Sequence, residues 1–282
     1  MISSRNYAKV ESCELGITNM KPKTWGGFWD IFGEVLVELL EIQVGSIVLD
    51  IGTGGGSVLY PLTRRVGDSG FIHGVETCDH CAKATTAEIK RCNIRNAEVE
   101  FMDARKTEYE DDSFDYITAG FIGWDNYYDF DSLKYKKQDD LMSEITRLLK
   151  PDGKFGMSTW LLQEDLDWMY AFLSSYSIDC KRNYHLENKE GWRMILTQAG
   201  FQDIRVFEKS ATFDYPSVEF WWKEMMDYSW LLEGENSEQI TDSIKKDAFL
   251  SIKEHSTNEG KVRFKRDALF TTGILWGVSP SL

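Results

Sequence analysis

The sequence has no apolar stretch long enough to cross a membrane. The longest one, Val35 to Leu40, is interrupted by Glu38, whereas a membrane-spanning helix needs about 20 apolar residues in a row. Positive charge is also scarce, because 32 lysine and arginine residues face 46 aspartate and glutamate residues and leave a net charge of −14. Nucleic acids and anionic membranes bind basic surfaces. We therefore expect neither a membrane span nor a nucleic-acid partner, and solubility is the plainest reason for the acidic balance.

Cysteines are few and irregularly placed. The five are Cys13, Cys78, Cys81, Cys92 and Cys180. An odd number in a long chain indicates reduced thiols, and residues 1–20 lack the apolar core of a secretion signal, so we expect a cytoplasmic protein. The motif Cys78-Asp79-His80-Cys81 could form a redox pair or half a metal site, but no second such pair accompanies it. We predict free structural thiols and no metal.

Glycine is concentrated in one short stretch. The apolar residues 46–49 have the character of a strand, which ends in the carboxylate of Asp50. Glycines follow at positions 52, 54, 55 and 56, and a helical pattern begins at Ser57. Glycine lets the backbone approach a ligand and adopt conformations that other residues avoid. A strand that brings an acid into a glycine turn at a helix start predicts a small-molecule site.

Two kinds of ligand are compatible with such a turn. Dinucleotide-binding turns have the pattern G-x-G-x-x-G and bind a pyrophosphate at the helix N-terminus. Here Ser57 occupies the position of the third glycine, and Asp50 would lie close to the anion. A ligand with a positively charged end suits this acid better, although an NAD(P)-dependent oxidoreductase remains the alternative because many α/β folds share glycine turns.

Strands and helices alternate five times up to residue 160. Helices are predicted at 28–42, 57–66, 79–92 and 137–150, and strands at 46–49, 71–75, 98–102, 114–119 and 154–160. This alternation indicates βαβ units and a parallel sheet. Right-handed crossovers place the ends of the parallel strands along one edge. We therefore expect Asp50, Glu76, Asp103 and Gly120 to converge there.

Beyond residue 160 the pattern is less regular. It indicates helical material at 161–187, a helix at 190–199, a strand at 201–209, an aromatic insertion at 216–250 and a last strand at 262–275. We predict a single domain over residues 1–282. Its parts would be an N-terminal helical lid (1–44), a cofactor-binding half (45–160) and a substrate-side half (161–282) with insertions at 161–187 and 211–260.

The order of these motifs resembles a known family. The pattern D-x-G-x-G-x-G at residues 50–56 resembles motif I of the class I S-adenosylmethionine (SAM)-dependent methyltransferases. Residues 112–117, 147–153 and 198–201 are similar to that family's S-F-D strand, L-K-P-G-G turn and A-G-F stretch. The resemblance covers about 45–275 and is closest to the ubiquinone/menaquinone-type small-molecule enzymes. It implies an α/β, Rossmann-like, doubly wound, seven-stranded and mostly parallel sheet with helical lid insertions.

The resemblance also implies roles for individual residues. The turn would hold the methionine end of SAM, Glu76 both ribose hydroxyls, and Asp103 the adenine amino group, while the Ala104 N–H would serve a ring nitrogen. The implied cofactor-binding set is Asp50, Gly52, Thr53, Gly54, Gly56, Glu76, Thr77, Asp103, Ala104 and Gly120. Simpler interpretations remain open: Asp50 could cap the turn, Glu76 could be an exposed charge and Asp103 could be a helix N-cap.

Aromatic residues are the second strong signal, with ten tryptophans in the chain. They predict a lid that excludes water from methyl transfer to an apolar or aromatic small molecule. The lid candidates are Trp25, Trp29, Trp124, Tyr128, Trp221 and Trp222, although core packing is the alternative for such residues. His185 and Tyr127 are the weak catalytic candidates. A non-catalytic methyltransferase-fold interaction protein is the other alternative, and the sequence leaves the oligomeric state and the methylated atom open.

Overall fold

The computed structural model describes residues 22–24, 26–124, 127–136, 140–178, 187–227 and 239–276. Its first half alternates as predicted. The elements are α1 (Gly27–Leu40), β1 (Ile47–Ile51), α2 (Leu59–Val66), β2 (Phe71–Glu76), α3 (Asp79–Arg91), β3 (Ala97–Phe101) and β4 (Phe114–Gly120). The main difference is that α2 begins at Leu59, two residues after the predicted start, because the glycine turn continues through Ser57.

The described second half contains two short strands, three long strands, five α-helices and a 3-10 helix. The elements are β5 (Tyr128–Asp129), β6 (Lys134–Tyr135), α4 (Asp140–Leu148), β7 (Leu149–Gln163), α5 (Glu164–Ser175), α6 (Lys189–Gln198), β8 (Phe201–Tyr215), α7 (Val218–Asp227), α8 (Asp242–Ser251), a 3-10 helix (Ile252–His255) and β9 (Val262–Leu275). Strands β7 and β8 extend beyond the predicted 154–160 and 201–209, so part of each predicted insertion is strand.

The seven long strands form one sheet in the order β3-β2-β1-β4-β7-β9-β8. The pairs β2–β3, β1–β2, β1–β4 and β4–β7 are parallel. Strand order reverses between β1 and β4, and ligands of such sheets bind at the carboxyl ends of the strands at that switch point. In the register, Asp50 lies opposite Gly74 on one side and Thr118 on the other. The predicted α/β, Rossmann-like and mostly parallel fold is confirmed.

The chain divides into two compact units. The first comprises Met1–Thr159, Leu186–Lys209 and Ala268–Leu282, and the second comprises Trp160–His185 and Ser210–Asp267. The single domain of residues 1–282, with its lid and two halves, stays a prediction. Among the described residues, no helix is both long and apolar enough to cross a membrane.

The core of the first unit lies on the central strands. The side chains of Val48, Leu49, Ile117 and Phe155 are completely buried there. Strands that are covered on both faces carry continuous apolar runs rather than alternating ones, as β1 and β4 do. Burying each such side chain contributes roughly 1.5–3 kcal/mol, so the central strands form a firm base for the residues at their carboxyl ends.

The second unit has its own core, which contains a buried ion pair. Both oxygens of Asp165 accept hydrogen bonds from the guanidinium of Arg266, at 2.9 and 2.7 Å, and the Tyr215 hydroxyl donates to Asp165 at 2.7 Å. The guanidinium also lies 4.9 Å from the ring centre of Trp160. Buried charges are tolerated when paired and hydrogen-bonded, and these contacts tie α5 to β8 and β9.

Candidate functional site

The turn after β1 requires its glycines. Gly52, Gly54 and Gly56 have φ angles of 69°, 51° and 82°, in the left-handed region that side chains disfavour. A Cβ on Gly52 would lie 2.5 Å from the Cγ2 atom of Ile122, and one on Gly56 would lie 2.4 Å from the ring of Tyr60. Both the backbone conformation and the lack of space thus require glycine. Because glycine has no side chain, the backbone of the turn stays open to a ligand.

Neighbouring strands and helices fix the backbone of this turn. The N–H groups of Gly52 and Thr53 donate to the carbonyl of Val75 in β2, at 2.9 and 3.2 Å. The Thr53 hydroxyl donates to the Asp50 carbonyl at 3.0 Å, and the buried Thr85 hydroxyl of α3 donates to the Gly54 carbonyl at 2.6 Å. The turn is therefore preorganised, which lowers the entropic cost of binding a ligand.

Asp50 is a buried carboxylate with one oxygen unsatisfied. Its side chain is 1% exposed, and its Oδ1 atom accepts a hydrogen bond from the Thr118 hydroxyl at 2.7 Å. Its Oδ2 atom is buried and has no hydrogen-bond partner in the part of the chain that the structure describes. Burial raises the pKa of Asp50 to about 7. A buried acceptor oxygen without a partner favours a ligand that brings a hydrogen-bond donor or a positive charge. A residue that only capped the turn would not need this free oxygen.

Glu76 at the end of β2 is bonded to the same turn. Its Oε2 atom accepts from the Gly54 N–H and its Oε1 atom accepts from the Cys78 N–H, both at 2.8 Å. Glu76 is half-buried rather than simply an exposed charge, while Thr77 beside it is exposed. A carboxylate has about four acceptor positions, so two backbone donors orient Glu76 and leave capacity for further donors.

Asp103 follows β3 and is held by Arg105. Its Oδ1 atom accepts from the Arg105 N–H at 3.0 Å, and the Arg105 guanidinium bonds both carboxylate oxygens. These contacts hold the pKa of Asp103 below its usual value. No helix begins here among the described residues, so the N-cap alternative is wrong and the side chain forms a turn with its own backbone instead. Ala104 is largely buried.

The end of β4 holds an aromatic residue that sequence reasoning missed. Phe121 follows Gly120 and has a φ of 55°, which is strained for a bulky side chain. Its ring lies edge-on to Trp29 at 5.6 Å and tilted to Phe32 at 6.1 Å between ring centres. The only signal in the sequence was its position directly after the predicted strand. Phe121 and Trp29 thus form an aromatic pair at the β4 strand end.

Helix α1 lies directly on the glycine turn. The Asp30 carboxylate accepts a hydrogen bond from the Ser57 hydroxyl at 2.8 Å and another from the Thr24 hydroxyl at 2.6 Å. Gly33 is so close that an added Cβ would lie 2.1 Å from the Ser57 carbonyl oxygen. The sequence analysis placed Ser57 at a helix start, in the position of a third glycine, and did not identify Asp30. Together these contacts make α1 a structural support of the turn.

Two lid candidates of the first unit are core residues. The side chains of Trp124 and Tyr128 are 1% and 0% exposed, so neither offers a surface to a ligand in this structure. The rings of Trp124 and Trp192 meet edge-on at 5.1 Å. Both residues donate to the buried carboxylate of Glu187, from the Trp124 backbone and the Trp192 indole, at 2.8 Å each. The lid assignment of Trp124 and Tyr128 is therefore corrected to core packing.

The two lid candidates of the second unit are also buried. Trp221 and Trp222 are 0% and 5% exposed. Trp221 packs against Phe264 and Trp168, with ring centres 5.7 and 5.3 Å away. Their aromatic stripe on α7 fills the core of the second unit, so their lid assignment is corrected in the same way.

The remaining candidates are distributed differently. Trp29 is partly exposed, and its place in a lid stays a prediction. Tyr127 is also partly exposed, its ring is edge-on to Trp124, and its catalytic role stays a prediction as well. Trp25 and His185 lie outside the described residues. The described part of the chain contains no cluster of three or more histidine, cysteine or acidic residues suited to a metal ion. Cys78 and Cys81 are free thiols.

A family model matches this chain, and so do several curated methyltransferases. A model described as a methyltransferase domain matches residues 42–206. Nocamycin O-methyltransferase of Saccharothrix syringae is 28% identical over 123 residues, which are 44% of this chain and 41% of that protein. Demethylmenaquinone methyltransferase of Lactobacillus johnsonii is 32% identical over 119 residues, 42% of this chain and 45% of that protein. The matched region is thus less than half the length of these relatives.

Solved structures show the same fold. The YcgJ protein of Bacillus subtilis superposes with a TM-score of 0.55 at 16% identity, over 88% of this chain and 99% of that chain. At this identity the likeness is evidence of fold alone. The family match is more specific, because it spans more than half of the chain and contains the glycine turn, Glu76 and Asp103. This chain belongs to the methyltransferase domain family, and within it to the class I SAM-dependent type.

Proposed function

We propose that this protein transfers the methyl group of SAM to a small molecule. The observation that carries the proposal is the buried Asp50, whose unsatisfied Oδ2 atom lies at a turn of three left-handed glycines. Such a site favours a ligand with a positively charged donor over one with a pyrophosphate, and therefore favours SAM over NAD(P). The SAM sulfonium supplies an already activated methyl group. The protein therefore has to bind the two reactants, align them and exclude water from the site.

The residues at the strand ends would share this binding task. Asp50 would accept from the ammonium group of the methionine end, with the backbone of residues 52–56 beside it. Glu76 would accept from the ribose hydroxyls with the capacity that its two backbone donors leave. Asp103 and the Ala104 N–H would face the adenine, with Arg105 orienting the acid. Thr53, Thr77 and Gly120 complete the proposed set.

The acceptor would be apolar or aromatic. Trp29 and Phe121 support this, because their edge-on rings lie at the strand end beside the glycine turn. Aromatic faces favour apolar acceptors and can also stabilise a cationic centre. Tyr127 and His185 remain the candidates for a general base if the acceptor must lose a proton. A cytoplasmic location and the absence of a nucleic-acid partner are part of the same proposal.

Calorimetric titration tests the cofactor assignment. Purified protein should bind SAM and S-adenosylhomocysteine with a stoichiometry of about one, and should not bind NAD or NADP at the same concentrations. Binding of NAD without binding of SAM would support the oxidoreductase alternative and overturn the proposal. Binding of neither would favour a non-catalytic protein of this fold.

A second experiment addresses the acceptor. The protein would be incubated with a fractionated metabolite extract and SAM labelled in its methyl group, and the labelled products would be identified by mass spectrometry. We expect the label in a small apolar or aromatic compound and not in protein or nucleic acid. Label found only in macromolecules would contradict the proposed substrate class.

A further inference from the structure

Two thiols lie at the start of α3, directly after the strand end that carries Glu76. The side chain of Cys78 is exposed, that of Cys81 is partly exposed, and both thiols are free. The Cys78 Sγ atom caps the helix by accepting a hydrogen bond from the Cys81 N–H at 3.4 Å. A third described cysteine, Cys92, lies just past the other end of this helix, about 20 Å away. The pair is therefore well separated from the third described cysteine.

The two sulfur atoms are not equivalent. A hydrogen bond from the Cys81 side chain, helped by N–H groups at the helix start, holds the pKa of the Cys78 thiol below its usual value. Burial raises the pKa of Cys81 to about 11, and its contact with Cys78 acts in the same direction. The thiolate is the reactive form of cysteine. The exposed Cys78 thus suits the role of attacking sulfur, and Cys81 the role of the sulfur that reacts second.

We propose that Cys78 and Cys81 form a dithiol site that reacts with small disulfides lacking net negative charge and closes into an intramolecular disulfide. The two cysteines lie one helical turn apart at the start of α3, and the attacking sulfur of Cys78 is exposed to solvent. The nearby Asp79 is paired with Lys83. The charge restriction therefore follows from Glu76, whose carboxylate accepts a hydrogen bond from the Cys78 N–H, and from the net charge of −14. Both repel anionic disulfides.

The reaction has two exchange steps. The Cys78 thiolate attacks one sulfur of the small disulfide, so a mixed disulfide forms and the other half leaves as a thiolate that takes a proton from water. Cys81 then gives its proton to water and attacks the Cys78 sulfur, which releases the second small thiol. Two protein thiols are oxidised to one disulfide, and the small disulfide is reduced to two thiols.

Closure of this disulfide would act on Glu76. The Cys78 N–H donates to the Glu76 Oε1 atom at 2.8 Å, while a disulfide requires the two sulfur atoms to approach to about 2.05 Å. We infer that this closure shifts the Cys78 backbone, which weakens the hydrogen bond that orients Glu76. This consequence rests on the proposed function, in which Glu76 binds the cofactor. We expect the oxidised protein to bind S-adenosylhomocysteine about fivefold more weakly or worse.

Peptide mapping tests the site itself. Full-length protein would be treated with hydroxyethyl disulfide at pH 7.5, alkylated and digested with trypsin. The tryptic peptide of residues 66–83 contains both cysteines and no other, and Cys92 falls in the separate peptide of residues 92–95. We expect the first peptide to lose the mass of two hydrogens and the second to remain fully alkylated. Glutathione disulfide, which is anionic, should react at least threefold more slowly.

Two variants separate the roles of the sulfur atoms. Cys81→Ser should stop at the mixed disulfide on Cys78, and Cys78→Ser should leave Cys81 unmodified over the same time. The dithiol site would be refuted if the peptide of residues 66–83 kept two alkylatable thiols, or if Cys78→Ser reacted as fast as the natural protein.

Calorimetry then tests the coupling to Glu76. Affinity for S-adenosylhomocysteine would be compared before and after treatment, with the double variant Cys78→Ser, Cys81→Ser as the control whose affinity treatment should not change. A disulfide that forms without any loss of affinity would confirm the site and refute its effect on Glu76. If the reduced natural protein does not bind the ligand at all, the proposed function fails, while the mass measurement still decides the dithiol site.

Discussion

At the scale of single residues, the carboxylates at the strand ends are the most constrained groups of the site. Glu76 uses both oxygens to hold backbone N–H groups on either side of it. Asp50 uses one oxygen and leaves the other without a described partner. Glu76 is therefore oriented for a ligand by its neighbours, whereas Asp50 is an unsatisfied group that a ligand would complete. Different substitutions test these two situations.

Glu76→Gln should weaken binding of S-adenosylhomocysteine about tenfold or more. Glutamine keeps the size of the side chain, but its amide nitrogen is a donor, so the hydrogen bond from either the Gly54 N–H or the Cys78 N–H is lost together with the charge. Calorimetry measures the effect. The control is Glu98→Gln on β3, which should leave the affinity unchanged. Glu98 is exposed, and its one salt bridge within the described residues is with His73. Equal affinities of both variants would contradict the ribose assignment.

Asp50→Asn should remove a pH-dependent loss of stability. Because burial raises the pKa of Asp50 to about 7 from 3.8, the folded state retains the proton in a range where the unfolded state has lost it. The stability present at low pH is lost as the pH rises through 7. Between pH 5.5 and 8, urea unfolding should show the natural protein losing about 2 kcal/mol relative to the Asn variant. Parallel pH profiles would show that Asp50 titrates normally.

At the scale of elements, helix α1 and the glycine turn behave as one unit. Gly33 permits the approach, and Asp30 joins the two by bonding the Ser57 hydroxyl. Sequence reasoning predicted this helix from its apolar spacing but assigned it to a lid. The contacts could not be foreseen, because they depend on how α1, which precedes β1 in the chain, packs onto the turn that follows β1.

Gly33→Ala should displace α1 from the turn. An added Cβ would overlap the Ser57 carbonyl at 2.1 Å, and overpacking of this kind costs about 1–3 kcal/mol. Urea unfolding should report that loss, together with weaker binding of S-adenosylhomocysteine. Glu38→Ala on the exposed face of the same helix is the matched control and should change neither quantity noticeably. A stable Gly33→Ala protein with full affinity would show that the helix does not support the turn.

The buried pair of the second unit makes a separate prediction. Arg266→Met leaves the Asp165 charge buried with the Tyr215 hydroxyl as its remaining described side-chain donor, and should lower the free energy of unfolding by about 3–5 kcal/mol. Arg263→Met on the same strand removes an exposed pair with Asp214 and should cost at most about 1 kcal/mol. Thermal or urea denaturation of the two variants gives the comparison. Similar losses would mean that burial does not distinguish the pairs.

At the scale of the whole molecule, the sequence predicted the sheet better than its surroundings. Strand ends carry their own signal, because an apolar run stops at a residue such as Asp50 or Glu76 and parallel topology then brings the ends together. Tryptophan carries no such signal: Trp124 and Trp221 are as apolar as a lid residue but are completely buried. Composition shows that aromatic residues are abundant, and only three-dimensional packing shows which of them a ligand can reach.

The acidic balance of the whole chain also predicts an outcome. With a net charge of −14, the protein should not retard duplex DNA in a gel at physiological salt, since non-specific DNA binding depends on basic groups that neutralise phosphates. An electrophoretic mobility assay across a range of salt concentrations measures this. Retardation that weakens steeply with salt would reveal a basic surface that the composition conceals.

The close approach of Gly33 to Ser57 limits which residues can replace Gly33 during evolution. A position with no room for a side chain does not accept conservative substitutions, because even alanine in place of glycine displaces the helix. Any homologue with another residue there must have shifted the helix or rebuilt the turn beneath it. Position 33, which no catalytic motif includes, therefore separates relatives that share this arrangement from those that share only the sheet.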